Sequence, residues 1–397
     1  MSEKNYPRGF LLNGIAAGIK ANGELDMGIL YSQGPCHYAG MFTKNKIQAA
    51  PVRLCRERLH SPIHGLIVNS GSANSFTGSQ GLKDAYILTR LAEEELKVKN
   101  ESILSLSTGV IGEPLPMDTV KEGIKKLCRL IESKENKPGL FAQSICTTDT
   151  KVKEITRHFE IGGKQVRMYG SAKGSGMIFP NMATMLAFIV TDLSIAPLLM
   201  DKALTEAVDE SFNAISVDGD QSTNDSVIHL ANGKAGNPII NKEDQDYQKY
   251  KDTLKEVALY LAQAIVRDGE GATKFIEIAV KGALSQEDAQ KCVSHLANSL
   301  LVKTAFFGED ANWGRFIYAV GASGCEVDET MIDMKLGDIL LVEKGLRTDF
   351  KDQEASQYMK NHDLYLEINL GLGQYSKTMY TCDLSYDYVK INGDYRT

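Results

Sequence analysis

The sequence lacks the features that mark nucleic-acid-binding, membrane and secreted proteins. Its 44 lysines and arginines are outnumbered by 51 aspartates and glutamates, giving a net charge of −7, so no basic field attracts nucleic acid or anionic lipid. Apolar stretches such as residues 185–190 are far shorter than the roughly 20 residues of a membrane-spanning helix. Residues 1–7 contain no apolar core of a secretory signal. We therefore expect a cytoplasmic protein that binds neither nucleic acid nor membranes.

Metal-binding and disulfide patterns are equally scarce. The seven cysteines are dispersed and none belongs to a Cys-x-x-Cys pair, which is typical of reduced thiols in a cytosolic protein. No His-Glu-x-x-His, EF-hand or Walker A pattern is present, so the sequence predicts no metal site. The Gly-rich segment Lys173-Gly174-Ser175-Gly176 matches no phosphate-binding motif, and a nucleotide-binding module is therefore the weaker alternative.

The chain of 397 residues, 43% of them hydrophobic, is long enough for one large or two medium domains. Helices are predicted at 82–98, at 118–133 with Asp118 as the N-cap, at 197–212 and at 248–266. Strands are predicted at 65–71, 103–110, 182–193, 364–370 and 378–384, the last two joined by a turn at Gly371-Leu372-Gly373. Because strands and helices do not alternate strictly and the end is rich in strands, we expect an α+β layered fold, with two sheets sandwiched between helices.

The segment that carries the chemistry is 172–186, AKGSGMIFPNMATML. A Gly-Ser-Gly turn and a Pro-Asn turn lead into an apolar strand that contains one polar residue, Thr184. A strand threonine usually does no more than satisfy a neighbouring carbonyl. The alternative is that the Thr184 hydroxyl cuts the Ala183–Thr184 bond, which frees an α-amine able to take the proton of that hydroxyl in later reactions.

Ten sequence blocks, in order and over the full length, carry a resemblance to the ornithine acetyltransferase family, the often bifunctional glutamate N-acetyltransferases of arginine biosynthesis. They are GFLLNGIAAGIK at 9–20, FTKNKIQAAPV at 42–52, VNSGSAN at 68–74, STGVIGEPLPM at 107–117, TTDT at 147–150, KGSGMIFPNMATML at 173–186, SFNAISVDGDQSTND at 211–225, RDGEGATKF at 267–275, KTAFFGEDANWGR at 303–315 and INGDYRT at 391–397.

This resemblance implies an α/β/β/α sandwich shared with the DmpA-like aminopeptidases, in a self-cleaved N-terminal-nucleophile enzyme. Cleavage between Ala183 and Thr184 would give an α chain 1–183 and a β chain 184–397, which together form one catalytic unit. The implied reaction moves an acetyl group from N2-acetylornithine to glutamate by a ping-pong route, through an acetyl ester on Thr184. The implied assembly is a heterotetramer of two α and two β chains. No cofactor is implied, and acetyl-CoA as a second acyl donor stays an open alternative.

The resemblance also assigns roles to individual residues. Thr184 is the nucleophile, and Thr108 and Gly109 match the oxyanion-hole pair, a role that a hydroxyl and a glycine amide can fill. Thr147, with Thr148 as a close competitor, contacts the substrate, and Lys173 pairs with its carboxylate. The remaining substrate-binding residues are Glu270, Asn392 and Thr397.

One alternative within the same fold is an N-terminal-nucleophile amidohydrolase or aminopeptidase, in which water attacks the acyl ester. Nucleophile chemistry alone does not exclude it, because the fold does not fix the acyl acceptor. The Ala183-Thr184-Met185-Leu186 junction favours the acetyltransferase, since the related peptidases usually carry serine there.

Overall fold

The structure is a computed structural model that describes residues 6–179 and 185–394. These residues form two compact units, each with its own β-sheet and helices. The first unit comprises residues 6–174, 185–213 and 221–265, and the second comprises 175–179, 214–220 and 266–394. The α+β class predicted from the sequence is confirmed.

The first unit contains the strands and helices of the N-terminal two thirds of the chain. Its strands are β1 (Phe10–Ile15), β2 (Met27–Phe42), β3 (Ile63–Ser72), β4 (Ile103–Val110), β5 (Lys153–Ile161), β6 (Lys164–Lys173), β7 (Leu186–Thr191) and β8 (Ser226–Ala231). Its helices are α1 (Ala50–Glu57), α2 (Gly78–Leu96), α3 (Met117–Glu132), α4 (Pro138–Ser144), α5 (Pro197–Asp209) and α6 (Gln245–Arg267).

The strands of this unit form a mixed sheet in the order β4-β3-β2-β8-β7-β6-β5, with β1 paired to β2. The pairs β3–β4 and β7–β8 are parallel, and the other pairs are antiparallel. All six residues of β7 are buried, as expected for a continuous apolar run inside a sheet. Strand β6 precedes the predicted cleavage junction and β7 follows it, so the predicted chains 1–183 and 184–397 supply neighbouring strands. The β6–β7 hydrogen bonds would hold the two fragments together after cleavage.

The second unit contains the C-terminal third of the chain. Its strands are β9 (Phe275–Ala283), β10 (Asp333–Leu336), β11 (Ile339–Glu343), β12 (Leu346–Arg347), β13 (Asp363–Asn369) and β14 (Tyr375–Cys382). Its helices are α7 (Gln286–Asn298), α8 (Leu300–Phe307), α9 (Trp313–Ala322), α10 (Asp352–Met359) and α11 (Tyr386–Gly393). The core lies between this sheet and helices α7 to α9, where Ile278, Val293 and Phe316 are buried.

The strand order of the second sheet, β12-β11-β10-β13-β9-β14, corrects one prediction. The predicted turn at Gly371-Leu372-Gly373 does not make β13 and β14 neighbours in the sheet, although both strands exist. Strand β9 lies between them, parallel to β13 and antiparallel to β14. After the turn at Gly371, the chain therefore crosses β9 and forms β14 on the opposite side of β9 from β13.

Two further local predictions differ from the structure. Asp118 is not the N-cap of α3, because Pro116 precedes the helix and no side chain caps it. Asp118 lies instead in the first turn, where a carboxylate still favours the positive end of the helix dipole. The stretch after Glu326 is not purely strand-like, since it includes α10 and α11. Within residues 6–179 and 185–394, no helix combines the length and apolar character needed to cross a membrane.

Candidate active site

The Lys173 side chain brings together three residues that the sequence predicted for the site. Lys173 is the last residue of β6 and is almost fully buried. Its ammonium donates a hydrogen bond to the Thr147 hydroxyl at 2.7 Å and a longer one to the Thr108 hydroxyl at 3.4 Å. The structure therefore places Thr108, the predicted oxyanion donor, and Thr147, predicted to contact the substrate, next to Lys173, predicted to bind its carboxylate.

A carboxylate that the sequence analysis did not single out anchors this cluster. Asp149 is paired with Lys153 at 2.7 Å and lies 3.9 Å from the Lys173 ammonium. It also accepts hydrogen bonds from the amides of Gly174 at 2.7 Å and Thr147 at 3.0 Å. Burial raises the pKa of Asp149, but the charges of the two lysines and the Gly174 amide outweigh burial and hold that pKa at about 2. Asp149 is therefore a permanent anion that fixes both the lysine and the Thr147 loop.

Thr108 and Gly109 lie at the end of β4, where its parallel pairing with β3 becomes irregular. Gly109 has φ +132°, a conformation that residues with a side chain rarely adopt. A Cβ atom there would overlap the carbonyl carbon of Gly71 on the neighbouring strand. Only glycine fits this close crossing of two backbones. Its predicted role as an oxyanion-hole residue stays a prediction.

The loop before β8 connects the oxyanion segment to the residue that follows the predicted cleavage junction. Asn224 donates its side-chain amide hydrogens to the carbonyl of Ser107 at 2.8 Å and to that of Ala73 at 2.7 Å. The next residue, Asp225, accepts the amide hydrogen of Met185 at 3.0 Å. Asn224 thus holds Ser107, the residue before Thr108, and Asp225 holds Met185, the residue after Thr184.

A small polar cavity of about 160 Å³ opens beside Thr147 in the first unit. Its lining includes Lys20, Gln143, Cys146 and Asp149. The Lys20 ammonium donates to the carbonyl of Cys146 at 2.7 Å, on the chain segment that leads into Thr147. The Thr147 segment is therefore supported from this side as well.

The second unit brings together two other predicted substrate-binding residues. The amide of Asn392, on α11, donates to the Glu270 carboxylate at 2.8 Å. The backbone amide of Glu270 donates to the Ser175 carbonyl at 2.8 Å. The Glu270 carboxylate packs directly on Gly176, where a Cβ atom would overlap it. This explains the second glycine of the Gly-Ser-Gly turn.

Three predicted site residues lie outside the described residues: Ala183 and Thr184 at the predicted cleavage junction, and the C-terminal Thr397. Their roles stay predictions.

Sequence reasoning missed Asp149, Asn224 and Asp225, although all three stand in the blocks that carried the resemblance. Asp149 belongs to TTDT and the other two to STND. The sequence did contain a signal, because Asp149 and Asp225 each follow hydroxyl-bearing residues close to a strand. A carboxylate that is buried in such a place requires a specific partner.

Comparison with known proteins gives matches over nearly the whole chain. The ArgJ family model matches residues 11–397. The arginine biosynthesis bifunctional protein ArgJ of Symbiobacterium thermophilum is 45% identical over 394 residues, covering 98% of this chain and 98% of that protein. The mitochondrial protein of the same name from Schizosaccharomyces japonicus is 44% identical over 406 residues, covering 99% of this chain and 93% of that protein.

The crystal structure of the arginine biosynthesis bifunctional protein argJ from Bacillus halodurans is also similar. It aligns with a TM-score of 0.51 and 41% identity, covering 52% of this chain and 98% of that chain. The family and the fold type predicted from the sequence are confirmed by these matches.

Proposed function

The chain belongs to the ArgJ family, and from this premise we propose that it is a self-cleaving glutamate N-acetyltransferase with Thr184 as its nucleophile. The enzyme moves the acetyl group of N2-acetylornithine to glutamate. The observation that carries the proposal is the cluster of the buried Lys173 and Thr108 with the half-buried Thr147, which combines a carboxylate-binding cation with a hydroxyl suited to an oxyanion hole.

Lys173 suits the binding of a substrate α-carboxylate. Its ammonium is almost fully buried, and an ion pair inside a protein is stronger than one in water. Asp149 lies 3.9 Å away and is already paired with Lys153 at 2.7 Å, so Lys173 is the less neutralised of the two lysines. N-acetylornithine and glutamate both present an α-carboxylate, and the same cation serves both in turn.

The proposed reaction has two half-reactions. The Thr184 hydroxyl attacks the acetyl carbonyl of N-acetylornithine, and its proton passes to the free α-amine of Thr184. Thr108 and Gly109 stabilise the oxyanion. The C–N bond breaks, the proton moves to the departing amine, and ornithine leaves an acetyl ester on Thr184. The α-amine of glutamate then attacks this ester, which releases N-acetylglutamate and restores the hydroxyl.

Glu270 is proposed to bind an ammonium group of the substrate. Its carboxylate is nearly buried, is oriented by the amide of Asn392 and rests on Gly176. A carboxylate held in this way suits an amino group of ornithine or glutamate. Asn392 and Thr397 complete the proposed substrate-binding set.

Three further properties are proposed from the family and the sequence. The fragments assemble as two α and two β chains, and the enzyme acts in the cytoplasm, where the seven free cysteines stay reduced. No cofactor is required. Acetyl-CoA as a second donor is favoured by the relatives, which are named bifunctional proteins. Acetyl transfer from acetyl-CoA to glutamate without ornithine derivatives tests this second activity.

Mass spectrometry of the denatured protein tests the main proposal. We expect two fragments that begin at Met1 and Thr184, and one added acetyl group on the second fragment when N-acetylornithine is supplied alone. Glutamate should remove that acetyl group. The control, Thr184→Ala, should stay uncut and inactive. An active enzyme with only the intact chain would refute self-cleavage, and rapid acetate release without glutamate would identify the amidohydrolase instead.

A further inference from the structure

Asp225 has the surroundings of a carboxyl group with a specific task. It immediately precedes β8, and its side chain has no exposure to solvent. One oxygen, Oδ1, accepts the amide hydrogen of Met185 at 3.0 Å. The other, Oδ2, is buried and makes no hydrogen bond within the described part of the chain.

The pKa of Asp225 reflects these surroundings. Burial raises the pKa of Asp225 well above its usual range, and this effect prevails over the Met185 amide, the hydroxyls of Thr43 and Ser222, and the charge of Lys173. Lys173 belongs to the cluster with Asp149 and Thr147, so it does not act as a dedicated partner of Asp225. The Asp225 side chain does accept the hydrogen bond from the Met185 amide.

The residue that Asp225 holds is the covalent neighbour of the proposed nucleophile. The Met185 nitrogen forms the peptide bond to Thr184, so only three covalent bonds separate it from the α-nitrogen that cleavage would free. The Met185 carbonyl accepts the amide hydrogen of Ser226 at 3.2 Å. Met185 is thus held through both its amide and its carbonyl, by Asp225 and by Ser226, the first residue of β8.

The same loop reaches the oxyanion segment. The side-chain amide of Asn224 donates a hydrogen bond to the carbonyl of Ser107, the residue before Thr108. A displacement of the 224–225 pair would therefore move the neighbour of the nucleophile relative to the neighbour of the oxyanion donor. Catalytic groups must be held to within a fraction of an ångström, and such supporting contacts provide that precision.

We propose that Asp225 is a positioning residue for Thr184: through its hydrogen bond with the Met185 amide it fixes the Thr184–Met185 peptide for both self-cleavage and acetyl transfer. This inference rests on the proposed function, because it takes Thr184 as the nucleophile. It assigns a task to a residue that neither binds the substrate nor donates to the oxyanion.

The test compares Asp225→Asn with Asp225→Ala. Asparagine has nearly the same size and keeps an acceptor oxygen for the Met185 amide, so it should retain self-cleavage and turnover. Alanine leaves a buried amide without an acceptor, and we expect self-cleavage and kcat to fall by about tenfold or more. KM for both substrates should change little in the molecules that are cut. Cleavage is followed by mass spectrometry of freshly made precursor, and kcat is expressed per cleaved molecule.

Asp192 provides the matched control. It is equally buried, stands just after the last residue of β7, and accepts the Arg167 amide at 2.8 Å and the Arg8 guanidinium at 2.8 Å. Asp192→Ala removes an equally buried carboxyl that follows the end of β7, whereas Asp225 precedes the start of the parallel neighbour β8. It should lower the melting temperature and leave the cleavage rate and kcat close to those of the wild type.

Each result has a distinct meaning. An Asn variant as impaired as the Ala variant would overturn the positioning role, because the carboxyl would then act as an acid or an anion. An Ala variant that cuts and turns over normally would also overturn it, as would an Asp192→Ala variant equally impaired at the same loss of stability. If the wild type itself remained uncut, the proposed function would fail, whatever the variants did.

Discussion

Replacing Asp149 by asparagine tests whether the buried charge cluster around Lys173 is built as described. Asparagine has nearly the same size and retains an oxygen for the Gly174 amide, but it removes the negative charge between Lys153 and Lys173. Both lysine side chains are almost fully buried, so each loses a partner where solvent cannot replace it. The variant therefore isolates the electrostatic contribution of one carboxylate.

The expected loss of stability follows from the pKa of Asp149. The value falls from 3.8 to about 2 in the folded protein, because the two lysines and the Gly174 amide outweigh the opposing effect of burial. This shift of roughly 1.8 units corresponds to about 2.4 kcal/mol at 1.36 kcal/mol per unit. Breaking a buried ion pair typically costs about 3–5 kcal/mol. We therefore expect Asp149→Asn to lower the free energy of unfolding at pH 7 by about 2–4 kcal/mol.

The pH dependence gives the sharper test. The folded-state pKa is depressed, so the stabilisation is present above the unfolded-state value of 3.8 and is lost as the pH falls towards about 2. The urea midpoints of the wild type and the variant should differ at pH 7 and converge as the pH falls through this window. Both chains should carry Thr184→Ala, so that one covalent species unfolds. The exposed Asp252→Asn in the same unit is the control. A difference that persists unchanged at the acid end would refute the ion-pair explanation.

Three other predictions follow from the same geometry. Lys173→Ala should raise KM for N-acetylornithine and for glutamate by a similar factor in steady-state assays, and a large rise for only one substrate would contradict a shared carboxylate site. Gly109→Ala should reduce kcat by about 100-fold or more through a displaced oxyanion donor, whereas Gly112→Ala, also at positive φ but with open space around it, should retain activity. The neighbouring Cys292 thiol lowers the pKa of Cys325, against the effect of burial. Iodoacetamide should therefore alkylate Cys325 at pH 7 faster than it alkylates an ordinary cysteine, and a rate no higher than that of free cysteine would show an ordinary thiol.

The sequence was sufficient for elements whose signal is local. The strand predicted at 103–110 has those bounds in the structure, because an apolar run ends there at Ser-Thr-Gly. The helix predicted from residue 248 begins slightly earlier, at Gln245, in the polar segment that precedes its apolar face. In both cases the residues that determine the element lie within it.

Predictions failed where the decisive partner is distant in sequence. A short turn at Gly371 joins β13 and β14 in sequence, yet β9, about 90 residues earlier in the chain, lies between them in the sheet. The acidic run Glu93-Glu94-Glu95 in α2 is typical of a helix surface, but Glu93 is buried and paired with Arg58 at 3.1 Å. No local pattern reports such contacts, because the free energy that favours them comes from tertiary packing and ion pairing.

In the site, too, residues with a local sequence signal were predicted, whereas residues that depend on distant partners were not. Strand β6 runs antiparallel to β7 and β7 parallel to β8, so the end of β6 and the beginnings of β7 and β8 lie at one edge of the sheet. Lys173, Met185 and Asp225 stand at these three positions, although 40 residues separate the last two in sequence. A chemically distinctive residue such as Lys173 can be recognised from its own segment. Asp225 acquires its role only when the sheet places it against Met185, because its burial and its hydrogen bond depend on residues that are distant in the sequence.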